Sequence, residues 1–180
     1  MKNIYFIRHF KTPWNIEGRL QGRRDISICE TRDANETQVL QNNINALDGI
    51  GFDAVYCSPL IRTSQTAIAH GLKNPTVLPN MIELDFGALE GMPKSTMRKS
   101  HGDDWDNAPQ NLPLGESFDD FVMRVKDVHQ TILSNSESTV LLFGHGAWSR
   151  CFKCIVDGTD PTQMNSFEIP NGQLVQFSAR

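Results

Sequence analysis

Four residues in this chain have the types and positions to hold one anion between them. Arg8 and His9 follow the apolar run "NIYFI" at 3 to 7, Arg62 lies five residues past "FDAVYC" at 52 to 57, and His145 follows "VLLFG". Arginine's planar fork matches phosphate oxygens in pairs and stays charged at any working pH. Histidine can attack phosphorus or donate to its oxygens. Two guanidiniums and two imidazoles gathered together repel one another unless an anion neutralises them, and a phosphoryl group does so. Taken singly, each residue reads as a surface ion pair or a packed loop histidine. Their shared position after separate apolar runs sets them apart.

That position depends on the elements around them. "NIYFI", "FDAVYC" and "STVLLF" (138 to 143) are short and almost continuously apolar, rich in β-branched and aromatic side chains, as expected of strands buried on both faces of a parallel sheet. "QLVQFS" at 173 to 178 alternates more and reads as a further strand. Helices are expected between them. Phe118, Phe121, Val122, Val125, Val128 and Ile132 recur at three and four behind a candidate N-cap, Ser117, and Val39, Leu40, Ile44 and Leu47 mark another apolar face before Gly49 and Gly51. "RTSQTAIAHGL" and "AWSRCFKCIVDG" are shorter helical segments, each after a strand.

The alternation predicts an α/β fold, a three-layer sandwich with a mostly parallel central sheet and helices on both faces, in a single domain over 1–180. Residues 74–116, rich in Pro, Gly, Asn and charge, read as a lid-like excursion over one sheet edge with little regular structure of its own. In open α/β sheets ligands collect at the carboxyl ends of the strands, which is where Arg8, His9, Arg62 and His145 are expected to converge.

The blocks "IRHFKTPWNIEGRLQG", "SPLIRTSQTA", "IELDFGALEG", "LPLGESFDDFVMRV" and "LLFGHGAWSR", in that order, resemble the histidine phosphatase superfamily, the phosphoglycerate mutase-like proteins. The resemblance runs from Met1 to about Asn171. It implies that His9 is the nucleophile that becomes phosphorylated, that Arg8, Arg62 and His145 bind the phosphoryl oxygens, and that Glu83 is the proton donor. It further implies that Asn15 contacts phosphate and that the backbone around Gln21 and Gly22 lies in the substrate loop. Two positions depart from the family pattern: Phe10 stands where Gly is usual after the nucleophile, and Lys11 where an acidic residue is common. Phe10 is expected to place a side chain next to the phosphate pocket and to forbid any backbone conformation that glycine alone tolerates.

Such chemistry follows from the residue types. Histidine attacks only as neutral imidazole, and two adjacent arginines disfavour the imidazolium. His145 is expected to act as a cationic or hydrogen-bonding donor to the equatorial oxygens. A carboxyl group beside bound phosphate is pushed toward its protonated form, so Glu83 can protonate the leaving oxygen and then take a proton from the attacking water. Asp85 and Glu90 are rivals for this role, although loop carboxylates read as solvated, and it is the resemblance, not the chemistry, that selects Glu83. No metal and no cofactor is called for, and the expected partner is a small phosphorylated metabolite. The expected activity is metal-independent phosphomonoester hydrolysis through phosphohistidine. The alternatives are a mutase-type phosphotransferase and a non-catalytic phosphate binder, and Lys94, Arg98 and Lys99 read as an exposed basic face and not as a grip for a second phosphate.

Other features bound the reading. A net charge of −4, from 17 basic and 21 acidic residues, gives no general basic field for a nucleic-acid backbone. "MKNIYFIRHF" is too short for a secretory apolar region and no window suits a membrane span, so a cytoplasmic location is expected, with no membrane partner and the oligomeric state left open. Cys29, Cys57, Cys151 and Cys154 lack framework spacing and are read as free thiols. "CSPLIRTS" has four residues between Cys57 and Arg62 where a cysteine phosphatase loop has five, so Cys57 is expected in a buried strand. The Cys151 to Cys154 pair is read as packing.

Overall fold

The computed structural model describes residues 2–179, with side chains described through Phe177. Five strands form one sheet: β1 (Lys2–Arg8), β2 (Ala54–Cys57), β3 (Thr76–Val77), β4 (Thr139–Gly144) and β5 (Leu174–Ala179), in the order β3-β2-β4-β1-β5. The contacts of β1 with β4 and of β2 with β3 and β4 are parallel, whereas β5 runs antiparallel along β1. Parallel neighbours need crossover connections. α1 (Pro13–Ile16) and α2 (Ala34–Leu47) lie in the first, α3 (Ile61–Ala69) and α5 (Phe118–Ser134) in the later ones, and α6 (Gly146–Asp157) leads from β4 toward β5.

Period-two alternation divides the core into two. Ile4 and Phe6 of β1 and Val140 and Leu142 of β4 turn to one face and pack with Phe121, Val125 and Ile132 of α5 and Trp148 and Phe152 of α6. Ile7, Leu141, Phe143 and Cys57 turn to the other, against Ala67 of α3 and Leu47 of α2. The sheet is therefore covered on both faces, as the almost continuously apolar runs predict. Ser117 caps α5, its side chain accepting from the Asp120 amide at 3.0 Å. Cys57, Cys151 and Cys154 are buried core residues, and burial pushes the Cys151 thiol up to about 12.

Two expectations need correction. Residues 74–116 carry β3, short 3-10 turns at Pro79–Met81, Gly87–Leu89 and Pro109–Asn111, and a fourteen-residue helix, α4 (Lys94–Asn107). Met97 is the buried residue of that helix, so its sequence has no apolar period to announce it. Pro93 stands at its N-cap and His101 leaves helical geometry inside it. The second correction concerns α2, whose buried residues are Glu36 and Asn43, while Ile44 is exposed. Both polar groups turn inward because they are bonded there: Glu36 Oε1 accepts the Lys11 amide at 2.8 Å, and Asn43 Nδ2 donates to the Gly172 carbonyl at 2.8 Å. Among the described residues no helix is long and apolar enough to cross a membrane.

Candidate active site

Strand register assembles the site. Arg8 pairs with Gly144 across β1 and β4, so the next residue on each strand, His9 and His145, leaves the sheet at the same edge. The His9 amide donates to the Gly144 carbonyl at 3.0 Å, and the two imidazole centroids are 5.4 Å apart. Cys57 pairs with Phe143 across β2 and β4, which brings Ser58 and the first turn of α3, with Arg62, to the same place. A Cβ at Gly144 would stand 2.8 Å from Phe6, so this junction closes on glycine.

His9 is buried, and its Nδ1 lies 2.7 Å from the Phe10 carbonyl oxygen. A carbonyl can only accept, so Nδ1 carries the proton and Nε2 keeps its lone pair. Burial, then Arg62, then Arg8 hold the ring well below the ordinary histidine range. Desolvation thus outranks the arginines in keeping His9 neutral.

Arg62 is fully buried and donates from Nη2 to the Gly22 carbonyl at 2.8 Å, from Nη1 to the Arg24 carbonyl at 2.7 Å and from Nε to His145 Nδ1 at 3.2 Å. An arginine can only donate, so the His145 proton sits on Nε2, which donates to Ser58 Oγ at 2.7 Å. Burial and Arg62 hold His145 well below the ordinary range. The ring is thus held neutral here, with its single N–H given to Ser58. Arg8 donates from Nη1 to the Ile169 carbonyl at 2.6 Å while its Nε has no partner among the described residues. Burial, with Arg150 next in weight, lowers Arg8 to about 10, and burial lowers Arg62 to about 10; both remain cations at neutral pH.

Glu83 is buried, and its carboxylate caps the start of α6. It accepts from the Trp148 amide at 2.9 Å, the Ala147 amide at 3.1 Å and its own neighbour Leu84 at 3.0 Å. Its carbonyl accepts from Arg124 Nη2 at 3.0 Å, and Arg124 is tied to Glu116 at 2.7 Å. Asp85 and Glu90 are not the solvated carboxylates expected from sequence. Glu90 pairs with Arg24 at 3.2 Å and accepts the Arg23 amide, and Asp85 pairs with Arg23 at 3.4 Å. Neither lines the cleft that Glu83 lines.

The remaining expected residues also meet here. Asn15 Oδ1 accepts the Thr12 amide at 3.1 Å, and Gln21 Oε1 accepts from the Thr12 hydroxyl. With both amide oxygens engaged by Thr12, the NH2 group of each side chain is left to donate, and Gln21 Nε2 is buried without a partner among the described residues. Gly22 takes φ +54°, and a Cβ there would run into Glu90 at 2.1 Å.

Phe10 does not intrude on this pocket, contrary to expectation. Its backbone needs no positive φ, and its ring turns away to stack on His70 at 5.5 Å with Arg32 above it at 5.4 Å. Gly172, at φ +77°, makes the room, since a Cβ there would lie 2.7 Å from the Phe10 ring. Lys11 lines the cleft, with its ammonium 2.8 Å from Asp33.

Sequence reasoning missed the outer part of the cleft, which has a volume of about 400 Å³. α4 contributes Lys94, Met97, Arg98 and Trp105, and Arg150 of α6 joins them beside Trp105 with Asn165 and Glu168. Lys94 and Arg98 therefore belong to the cleft wall, whereas Lys99 does not. Arg150 had a signal: it lies one helical turn beyond Gly146, on the side of α6 that begins at the site.

Comparison with known proteins fits this geometry. The family model described as "Histidine phosphatase superfamily (branch 1)" matches residues 4–180. Phosphoserine phosphatase 1 of Hydrogenobacter thermophilus is 28% identical over 180 residues, covering 95% of this chain and 83% of its own length. A 2,3-bisphosphoglycerate-dependent phosphoglycerate mutase of Methylobacterium radiotolerans is 29% identical, covering 94% of this chain and 85% of its own. The solved structure of the open reading frame Rv3214 product from Mycobacterium tuberculosis aligns with a TM-score of 0.80 at 25% identity, over 96% of this chain and 89% of that one.

Proposed function

The chain belongs to the histidine phosphatase superfamily, and from that premise we propose that it hydrolyses a small phosphomonoester, without a metal, through a phosphohistidine on His9. The observation that carries the reading is the pairing of an unprotonated, buried His9 Nε2 with two guanidiniums, Arg8 and Arg62, that have no carboxylate within 4.0 Å among the described residues. Such cations wait for an anion.

In the first half-reaction Nε2 attacks phosphorus, and the new N–P bond forms as the ester P–O bond breaks. Arg8 and Arg62 receive the charge on the transferring oxygens, with the NH2 groups of Asn15 and Gln21 as further donors, while His145, anchored on Ser58 Oγ, accepts from Arg62 Nε and holds that guanidinium in place. Donors fixed in advance by carbonyls and by Thr12 need little reorganisation when the charge arrives. Glu83, when it holds a proton, gives it to the leaving oxygen. In the second half-reaction Glu83 takes a proton from water, whose oxygen attacks phosphorus as the N–P bond breaks. The Ala147 and Trp148 amides at the start of α6 hold the two oxygens of Glu83 in place for both transfers.

All four cysteines are free, which supports a reducing, cytoplasmic setting. The test is phosphate release from p-nitrophenyl phosphate in EDTA, against the His9→Ala protein as background. Release abolished by EDTA, or equal in the His9→Ala protein, overturns the reading. Interconversion of 2- and 3-phosphoglycerate that requires 2,3-bisphosphoglycerate and outpaces phosphate release would make the protein a mutase.

A further inference from the structure

The cleft's charge is opposite to that of the chain. The protein carries a net −4, yet seven Arg and Lys residues line the cleft against three Glu. Three of the seven are neutralised at short range: Lys11 by Asp33 at 2.8 Å, Arg19 by Glu17 at 2.6 Å and Arg98 by Asp106 at 2.8 Å. The other four, Arg8, Arg62, Arg150 and Lys94, have no carboxylate within 4.0 Å among the described residues. A phosphoryl dianion accounts for Arg8 and Arg62. It leaves Arg150 and Lys94 over.

Arg150 is the more telling of the two, being 9% exposed and lining the cleft. Its Nη2 donates to Asn165 Oδ1 at 2.9 Å, and its Nε is buried with no partner among the described residues. The guanidinium lies over the Trp105 ring at 5.8 Å, and Asn165 is itself held by the Trp105 carbonyl at 2.7 Å, so the group is fixed from two sides. Burying a guanidinium without a carboxylate is costly unless a ligand supplies the charge. Arg150 and Lys94 both lower Arg8 or are lowered by it, which makes the three a contiguous cluster with Glu168 as its partial counterweight.

We propose that Arg150 and Lys94 form a second anion subsite beside the phosphoryl site, so that the preferred substrate is a small phosphomonoester bearing another anionic group a few bonds from the ester. This rests on the phosphatase reading above and specifies its substrate class. A cleft of about 400 Å³ suits so small a molecule. Trp105 and Phe167 offer the chain between the two anions an apolar wall.

The test compares substrates that differ by the second anion alone. 3-Phosphoglycerate against glycerol 1-phosphate reads a carboxylate, and propane-1,3-diol bisphosphate against its monophosphate reads a second phosphate. The expected result is a kcat/KM at least about tenfold higher for the dianionic member of one pair, and whichever pair responds identifies the anion. Arg150→Gln should shrink that ratio at least about tenfold, and Lys94→Gln, at an exposed position that folding does not need, should shrink it less. Equal kcat/KM within both pairs overturns the subsite. If the protein turns over no phosphomonoester, the phosphatase reading fails by itself. The subsite is then judged from calorimetric affinities of the same four compounds for the His9→Ala protein, where equal affinities within both pairs overturn it.

Discussion

The imidazole Nδ1 of His9 is hydrogen-bonded to the carbonyl oxygen of its own neighbour, Phe10, at 2.7 Å. This bond selects the attacking atom. The phosphoenzyme should carry phosphorus on Nε2, which nitrogen-15 and phosphorus NMR of the trapped intermediate would establish. A phosphoryl group on Nδ1, or on any other residue, contradicts the arrangement. His9→Ala should lose activity by at least about 10³-fold while keeping its circular dichroism spectrum.

The proposed mechanism gives Glu83 the protonation of the leaving oxygen, so its loss should be felt most where protonation matters most. Glu83→Gln keeps the size and one acceptor oxygen. It should slow alkyl phosphates by about 10²-fold or more and p-nitrophenyl phosphate far less, steepening the dependence on leaving-group pKa. A uniform effect across leaving groups would remove Glu83 from the acid role.

Arg124 supports Glu83 from behind, with bonds to the carbonyls of Ile82 and Glu83 and a two-armed pair with Glu116. Arg124→Met removes one of the two guanidiniums on Glu116, leaving Arg23 at 3.0 Å, together with the donor to the carbonyls of Asn80, Ile82 and Glu83. It should cost about 1 to 3 kcal/mol in urea unfolding. It should also lower kcat more than it raises KM, since the group it positions acts during bond cleavage. An unchanged kcat would leave Arg124 a stabilising role alone.

Phe10 fills a slot made by His70, Arg32 and the glycine at 172. Phe10→Ala should therefore cost about 3 to 5 kcal/mol of stability by cavity formation, read from the midpoint of denaturation. Gly172→Ala should destabilise too, through φ +77° and the clash with the ring. Both effects arise from packing. A Phe10→Ala protein as stable as wild type would show the slot to be idle.

Stability should also fall in mild acid. His9, His145, His70 and His129 all have pKa values depressed from 6.5, with burial the first cause in each. Below pH 6.5 the unfolded chain takes up protons that these rings refuse, so their contribution is present in full above that pH and drains away as pH drops toward the folded values. Each ring can add up to about 1.4 kcal/mol per pH unit of slope while the mismatch lasts. Chemical denaturation between pH 7 and pH 5 should show the loss, and a flat profile would mean that the rings are hydrated.

The sequence by itself determined the sheet and which residues gather at its carboxyl edge. Apolar runs of five or six residues that alternate with helical segments suit strands buried on both faces of a parallel sheet, and polar residues placed directly after them emerge at its carboxyl edge. Arg8, His9, Arg62 and His145 needed no more than that, because short-range connectivity fixes where a residue next to a strand end will stand. The tertiary structure alone decided everything set by partners distant in the chain. The tautomers of His9 and His145 depend on which atom faces a carbonyl or a guanidinium, and composition is silent on orientation. α4 escaped notice because it buries Met97 and little else, so its packing left no period in the sequence. Phe10 read as an obstacle until Gly172 was seen to clear its path. Arg150 looked like one more helix residue until folding left its guanidinium buried without a carboxylate. Pairing is a property of neighbours in space, and charge counts along the chain cannot reveal which cations the fold leaves unmatched.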